Sequence, residues 1–145
     1  MLNIVILNGG RGGATTIPAL LAHRGLCVTS VVNAYDDGKS TGEIRRFFGM
    51  LGPSDIRKVQ ELMLPVDDPD YKANLHVFGY RFPLDCVRDT VLADLRAFAD
   101  GSQPDLVGAH FTSAKVRTAL RSFVREFLAG LQGIEQVSGE RFSFA

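Results

Sequence analysis

The chain has little that would point to nucleic acid, membrane or disulfide chemistry. Its 145 residues carry 16 basic and 16 acidic side chains, so the formal charge is zero and no global field favours DNA or RNA. Only two cysteines are present, Cys27 and Cys86, with neither CxxC nor metal-ligand spacing. Their apolar neighbours predict buried thiols. No apolar run approaches the ~20 residues that span a bilayer, and Met1–Leu7 lacks the basic region of a signal peptide. The cytoplasm is the default location. No internal repeat is visible, and the length fits one domain with a real core.

What the chain does have is glycine, concentrated behind a first apolar run. Leu2–Leu7 reads as a strand covered on both faces. Asn8-Gly9-Gly10-Arg11-Gly12-Gly13 follows, and Thr15-Thr16-Ile17-Pro18 then opens a helix through Ala22 or His23. Proline is tolerated there because a first-turn amide lacks an intrahelical partner. Gly25 ends the helix, and Cys27–Asn33 reads as a second strand. Strand, glycine turn, helix and strand make a βαβ unit. Its two loops, 8–13 and Asp36-Asp37-Gly38-Lys39-Ser40-Thr41-Gly42, would meet at the carboxyl edge of a parallel sheet.

Neither loop is a standard nucleotide fingerprint. In the first, Thr15 takes the place of the third glycine of G-x-G-x-x-G, and Asn33 stands where a ribose-binding acid is usual. In the second, Gly38-Lys39-Ser40 ends like a phosphate loop, but Asp36 and Asp37 would repel phosphate unless a divalent cation lay between. With Mg2+ present, Asp36 or Asp37 could hold the ion while the glycine-loop amides and Ser40 or Thr41 contact phosphate. A simple strand-to-helix turn and a solvated helix cap are the structural alternatives for the two loops.

Ser40-Thr41-Gly42-Glu43 has the form of a capping box. Ser54-Asp55 is placed to cap a helix carrying Ile56, Val59, Leu62 and Met63, with Arg57 or Lys58 able to reach an anion. Arg45, Arg46, Arg57 and Lys58 form a local basic cluster suited to a small anionic ligand. Asp67-Asp68-Pro69-Asp70 reads as a solvated acidic turn. Leu75–Tyr80 is expected as a strand or an irregular excursion. Val87–Phe98 marks a helix ended by Gly101, and Val116–Leu131 another ended by Gly130 and Gly133. Ile134–Val137 and Arg141–Ala145 read as edge or hairpin strands. His23, His76 and His110 share no ligand spacing.

Three segments together resemble the family of 2-phospho-L-lactate transferases and the related gluconeogenesis-factor, or uridine-diphosphate-sugar-binding, proteins. They are Asn8-Gly9-Gly10-Arg11-Gly12, Tyr35-Asp36-Asp37-Gly38-Lys39-Ser40-Thr41-Gly42 and Gly52-Pro53-Ser54-Asp55-Ile56-Arg57-Lys58. The match in order and spacing covers roughly residues 3 to 62. It departs from the family pattern at Asn8, Arg11, Lys39 and Lys58, and it lacks a later Ser-Val-Gly-Asn segment.

The resemblance implies an α/β, Rossmann-like, doubly wound and mostly parallel fold, truncated here. Residues 1–145 would be a single nucleotide-binding domain or the amino-terminal fragment of a larger one. It also implies phospholactyl transfer from a guanosine-diphosphate-linked donor to a deazaflavin hydroxyl with Mg2+. Asp37 and Asp55 would hold the metal, and Gly9, Gly10, Arg11, Gly12, Ser40, Thr41 and Arg57 the nucleotide. The expected partner is a guanine or uracil nucleotide-linked small molecule, with no nucleic acid and no membrane. The alternatives are a non-catalytic nucleotide or UDP-sugar-binding regulatory module, and a structural fragment that assembles as a homo-oligomer or with missing sequence.

Overall fold

The computed structural model describes residues 1–9, 12–35 and 38–144, with backbone alone at 39 and 40. It divides into two compact units, Met1–Val66 and Asp67–Ala145.

The first unit is built on the expected βαβ segment. Strands β1 (Leu2–Asn8) and β2 (Leu26–Val32) pair in parallel, in register from Leu2 opposite Leu26 to Asn8 opposite Val32. Helix α1 (Thr16–Leu21) makes the crossover, and α2 (Lys39–Phe48) and α3 (Ser54–Leu62) follow. Both α1 and α3 pack against β2. Their anchors are Ile17, fully buried, and Val59, 3% exposed. The α/β class and the parallel pairing are therefore as the sequence predicts.

Burial of β1 on both faces is not observed. Val5 is 63% and Leu7 79% exposed, while Ile4 and Ile6 on the other face are half-buried. A β-strand alternates its side chains, so packing on one face of a two-stranded sheet leaves every second residue bare. Cys27 lies on that bare register of β2 and is exposed, and Cys86 is only half-buried, against the buried thiols expected.

The helix starts also differ in detail. Gly38 is the N-cap of α2, so Ser40 falls inside the first turn and not at the N-cap position the capping box requires. Pro53 occupies the N-cap of α3, which frees the Ser54 hydroxyl for a tertiary contact.

The second unit is helical, with α4 (Tyr71–Gly79), α5 (Arg88–Asp100) and α6 (Ala114–Ser138). Helix α4 replaces the strand or excursion expected at 75–80. Helix α6 runs unbroken through Gly130 and Gly133 to a left-handed cap at Gly139, so Ile134–Val137 is helical and not an edge strand. Glycine weakens a helix interior by only about 1 kcal/mol, and burial of Leu131, 2% exposed, outweighs it here. Phe98, Phe111, Leu95, Leu106 and Val124 form the core between α5 and α6. Residues 141–144 form no strand among the described residues. Phe142 instead gives its amide to Glu135 Oε1 at 2.8 Å, Arg88 Nε donates to its carbonyl at 3.1 Å, and Phe144 stacks edge-on against Phe82.

Two polar joints, one buried and one half-buried, hold this unit. Asp70, 2% exposed, accepts hydrogen bonds from the Thr112 amide and hydroxyl at 2.6 Å and the Ser113 amide at 3.0 Å. Arg88 Nη2 donates to both Glu135 carboxylate oxygens at 2.6 Å. Burial raises the Glu135 carboxyl, but the Phe142 amide and the Arg88 guanidinium outweigh it and hold the group below its ordinary value.

Candidate functional site at the carboxyl edge of the sheet

The site grows out of the ends of β1 and β2. Asn8 closes β1, and its carbonyl accepts from the Asn33 amide at 3.2 Å, which carries the pairing just past β2. Asn8 Nδ2 donates to Ser30 Oγ at 2.5 Å. Its Oδ1 is buried and has no partner among the described residues. Gly13 lies beside this side chain. The Gly12 amide donates to the Gly9 carbonyl at 3.0 Å, and the Ile17 amide to the Gly13 carbonyl at 2.9 Å.

At Gly13 a side chain would be crowded. A Cβ there would lie 2.7 Å from Ile17 Cδ1 and 3.4 Å from Asn8 Oδ1. Gly9 faces outward instead, and a Cβ on it would meet Asp55 Oδ2 at 3.4 Å. The first glycine turn and the start of α3, separated by more than forty residues of sequence, therefore share one place.

Two contacts bring α3 there. The Gly52 amide donates to the Ala34 carbonyl at 3.1 Å, fastening the approach to α3 onto the chain leaving β2. Thr41 Oγ1 and Ser54 Oγ share a hydrogen bond of 2.6 Å, joining the first turns of α2 and α3. Asp55 lies in the first turn of α3, half-buried, where the amide dipoles favour negative charge.

The residues nominated from sequence separate into four groups. Gly9, Gly12 and Asp55 are brought together at the edge. Thr41 is 2% exposed with its hydroxyl engaged by Ser54, so it ties the two helix starts together. Arg57 and Lys58 both turn to Glu61, at 3.6 Å and 2.6 Å. Gly10, Arg11, Asp36 and Asp37 lie outside the described residues, and Ser40 is described by its backbone alone. The Thr41–Ser54 joint was not foreseen, because thirteen positions of separation carry no periodic signal and Ser54 reads locally as a cap. The histidines lie elsewhere: His76 Nε2 contacts the Val107 carbonyl at 3.0 Å, and His110 Nδ1 lies 2.7 Å from Asp105 Oδ1.

No group of three or more His, Cys, Asp or Glu side chains among the described residues could hold an ion. Asp55 is a single carboxylate beside open glycine backbone, a donor that Mg2+ could use, since that ion is commonly bound by one or two carboxylates with water and substrate phosphate completing the shell.

A parallel βαβ unit with glycine backbone and a helix-start carboxylate at its carboxyl edge places the chain in the α/β class of proteins. The chain belongs to the 2-phospho-L-lactate transferase CofD family, whose model matches residues 4–139. It is 31% identical over 119 residues to the gluconeogenesis factor of Listeria monocytogenes, covering 78% of this chain and 35% of that protein. Over 79 residues it is 34% identical to a putative gluconeogenesis factor of Nostoc, covering 54% of this chain and 16% of the relative. A putative gluconeogenesis factor of Streptococcus pyogenes is 36% identical over 74 residues, 51% of this chain and 22% of the relative. The chain thus spans at most about a third of the length of these curated relatives. No solved structure matches it. No helix among the described residues is long and apolar enough to cross a membrane.

Proposed function

We propose that the first unit binds the phosphate portion of a nucleotide-linked small molecule with Mg2+, as part of a 2-phospho-L-lactate transferase-like activity. The observation that carries this reading is the approach of Asp55 to Gly9, a carboxylate beside backbone that a ligand can reach. Family membership over residues 4–139 supports the reaction class.

In the reaction so proposed, the hydroxyl oxygen of a deazaflavin acceptor bonds to the phosphorus of the phospholactyl group. The bond from that phosphorus to the bridging oxygen of GMP breaks, and the hydroxyl proton leaves to solvent. Asp55, with Asp37 from the neighbouring loop, would hold Mg2+, whose charge would offset the charge on the phosphoryl oxygens. Gly9 leaves the approach to Asp55 open. The Thr41–Ser54 joint fixes the first turns of α2 and α3, whose amides lack intrahelical acceptors and suit an anion. Positioning of this kind supplies much of the barrier reduction in phosphoryl transfer.

A second reading is a non-catalytic module that binds a nucleotide or UDP-sugar. It is favoured by the names of the matched relatives, gluconeogenesis factors, none of which names a transferase. Calorimetric titration of the purified chain with GDP, GMP and UDP-N-acetylglucosamine, each with and without Mg2+, separates the two. Mg2+-dependent binding of a guanine nucleotide, lost in Asp55→Asn, supports the transferase reading. Binding of the UDP-sugar alone supports the second. Folded protein that binds none of the three overturns both.

A further inference from the structure

The second unit contains a cavity of about 380 Å3, lined by its own residues and within the usual ~300–1,000 Å3 of small-molecule sites. One wall is the α5 stripe Val87, Val91 and Leu95, and the other walls are Phe82 with Pro83 and the turn at Leu106–Gly108. Three features distinguish it from a packing defect.

Its lining is of one charge sign. Thr90 and Asp94, one helical turn apart on α5, form the polar rim, and no Lys, Arg or His lines the cavity. Asp94 makes no hydrogen bond or ion pair among the described residues, although Arg88, on the same helix, is paired with Glu135. Gln103 donates one Nε2 hydrogen to the Asp105 carbonyl at 3.0 Å, and Asp94 carries the only charge among the lining residues.

The second feature is backbone strain on the wall. Val107 has φ 47°, a left-handed conformation that a β-branched residue rarely adopts. The surroundings impose it. Leu106 and Ala109 exchange backbone hydrogen bonds of 3.1 Å and 2.8 Å, and His76 Nε2 lies 3.0 Å from the Val107 carbonyl. The third is rigidity beneath: Leu95, Leu106 and Val91 belong to the buried core, so the floor is preformed.

We propose that this cavity is a binding site for a small molecule with an apolar, ring-sized body and a protonated amine. The body would lie on Val91, Leu95 and Leu106, and the amine would meet Asp94 with Thr90 beside it. The only charged group in the lining is the Asp94 carboxylate, with no cation beside it, which argues against a phosphate or carboxylate ligand and makes the site chemically unlike the nucleotide edge. It stands or falls independently of the function proposed above.

The test uses three probes of one shape: 2-phenylethylamine, 2-phenylethanol and 3-phenylpropionate, titrated into the full chain without nucleotide or Mg2+ and followed through backbone amide resonances. The amine is expected to shift Val91, Asp94, Val107 and Gly108 and to bind about fivefold more tightly than the alcohol, the scale of one partly exposed charge contact. The carboxylate should bind weakest. Asp94→Asn, at an exposed position that leaves folding intact, should bring amine and alcohol to equal affinity. Equal affinity of amine and carboxylate for the native chain overturns the proposal. So does an unchanged amine preference in Asp94→Asn, or the absence of shifts at these residues with all three probes.

Discussion

Asp55 stands beside Gly9, its Oδ2 3.4 Å from the position that a Cβ on Gly9 would occupy. That separation is an ordinary van der Waals contact, and Gly9 is exposed, so Gly9→Ala should fold normally. Its stability should stay within about 0.5 kcal/mol of the native chain. The added methyl would nevertheless fill the approach to the carboxylate. Calorimetry should show Mg2+-dependent nucleotide affinity falling about tenfold, or about 1.4 kcal/mol. Unchanged affinity would remove Gly9 from the site.

The hydroxyl joint between α2 and α3 makes a second expectation. Thr41→Val keeps the shape of a side chain only 2% exposed but strands Ser54 Oγ without its 2.6 Å partner. A half-removed buried hydrogen bond costs about 1–3 kcal/mol, whereas removing both partners costs less. Urea denaturation of Thr41→Val, Ser54→Ala and the double variant should therefore give non-additive losses, with the double variant less destabilised than the sum. Strict additivity would mean that the two hydroxyls do not support each other.

Asp70 sets an acid limit on the second unit. Its carboxyl is held below the ordinary 3.8, first by the Thr112 hydroxyl, against burial, and then by the Thr112 and Ser113 amides and the Arg117 charge. A carboxyl with a lowered folded-state pKa binds fewer protons folded than unfolded, so stability rises with pH across this window. The contribution is full above pH 3.8 and fades as pH falls toward the folded-state value. The stability difference between the native chain and Asp70→Asn should shrink accordingly in acid denaturation series. Glu135 and Asp100 are lowered too, so some pH dependence should survive in the variant. A difference independent of pH would show that Asp70 acts by shape alone.

How far the sequence announces all this depends on the range of the interactions. The βαβ unit was legible because Leu2–Leu7 and Cys27–Asn33 are apolar runs bounded by glycines, a local signal. Family motifs likewise pointed to Gly9, Gly12 and Asp55. The error at α4 arose because Leu75-His76-Val77-Phe78 holds too little periodicity to separate strand from helix. Only tertiary packing of Ala73 and Val77 on the core decides it. The error at α6 has the same root: Gly130 and Gly133 are weak stops, and Leu131 is buried between them with Ile134 half-buried just beyond. Thr41 and Ser54 each looked like local caps or ligands, and their mutual bond exists only once two helix starts converge. The bare face of β1 was invisible for a related reason, since a run of apolar residues does not say which neighbours are there to cover it.

Gly13 and Ile17 offer the sharpest test of why the first glycine turn is built as it is. A methyl on Gly13 would approach Ile17 Cδ1 to 2.7 Å and Cγ1 to 3.2 Å. Ile17 is fully buried and sits in the first turn of α1, so it has little room to withdraw. Gly13→Ala should therefore destabilise the first unit by about 1–3 kcal/mol, the usual scale of overpacking. Ile17→Val deletes the offending Cδ1 and by itself costs about 0.5–1.5 kcal/mol. Combined, the two substitutions should cost less than their sum, because each relieves part of the other's defect: the new methyl occupies space the Cδ1 vacates. Relief should be incomplete, since a γ-carbon remains at the Cγ1 position. If the double variant is instead as unstable as the sum, the glycine is required by backbone conformation or ligand approach and not by this contact.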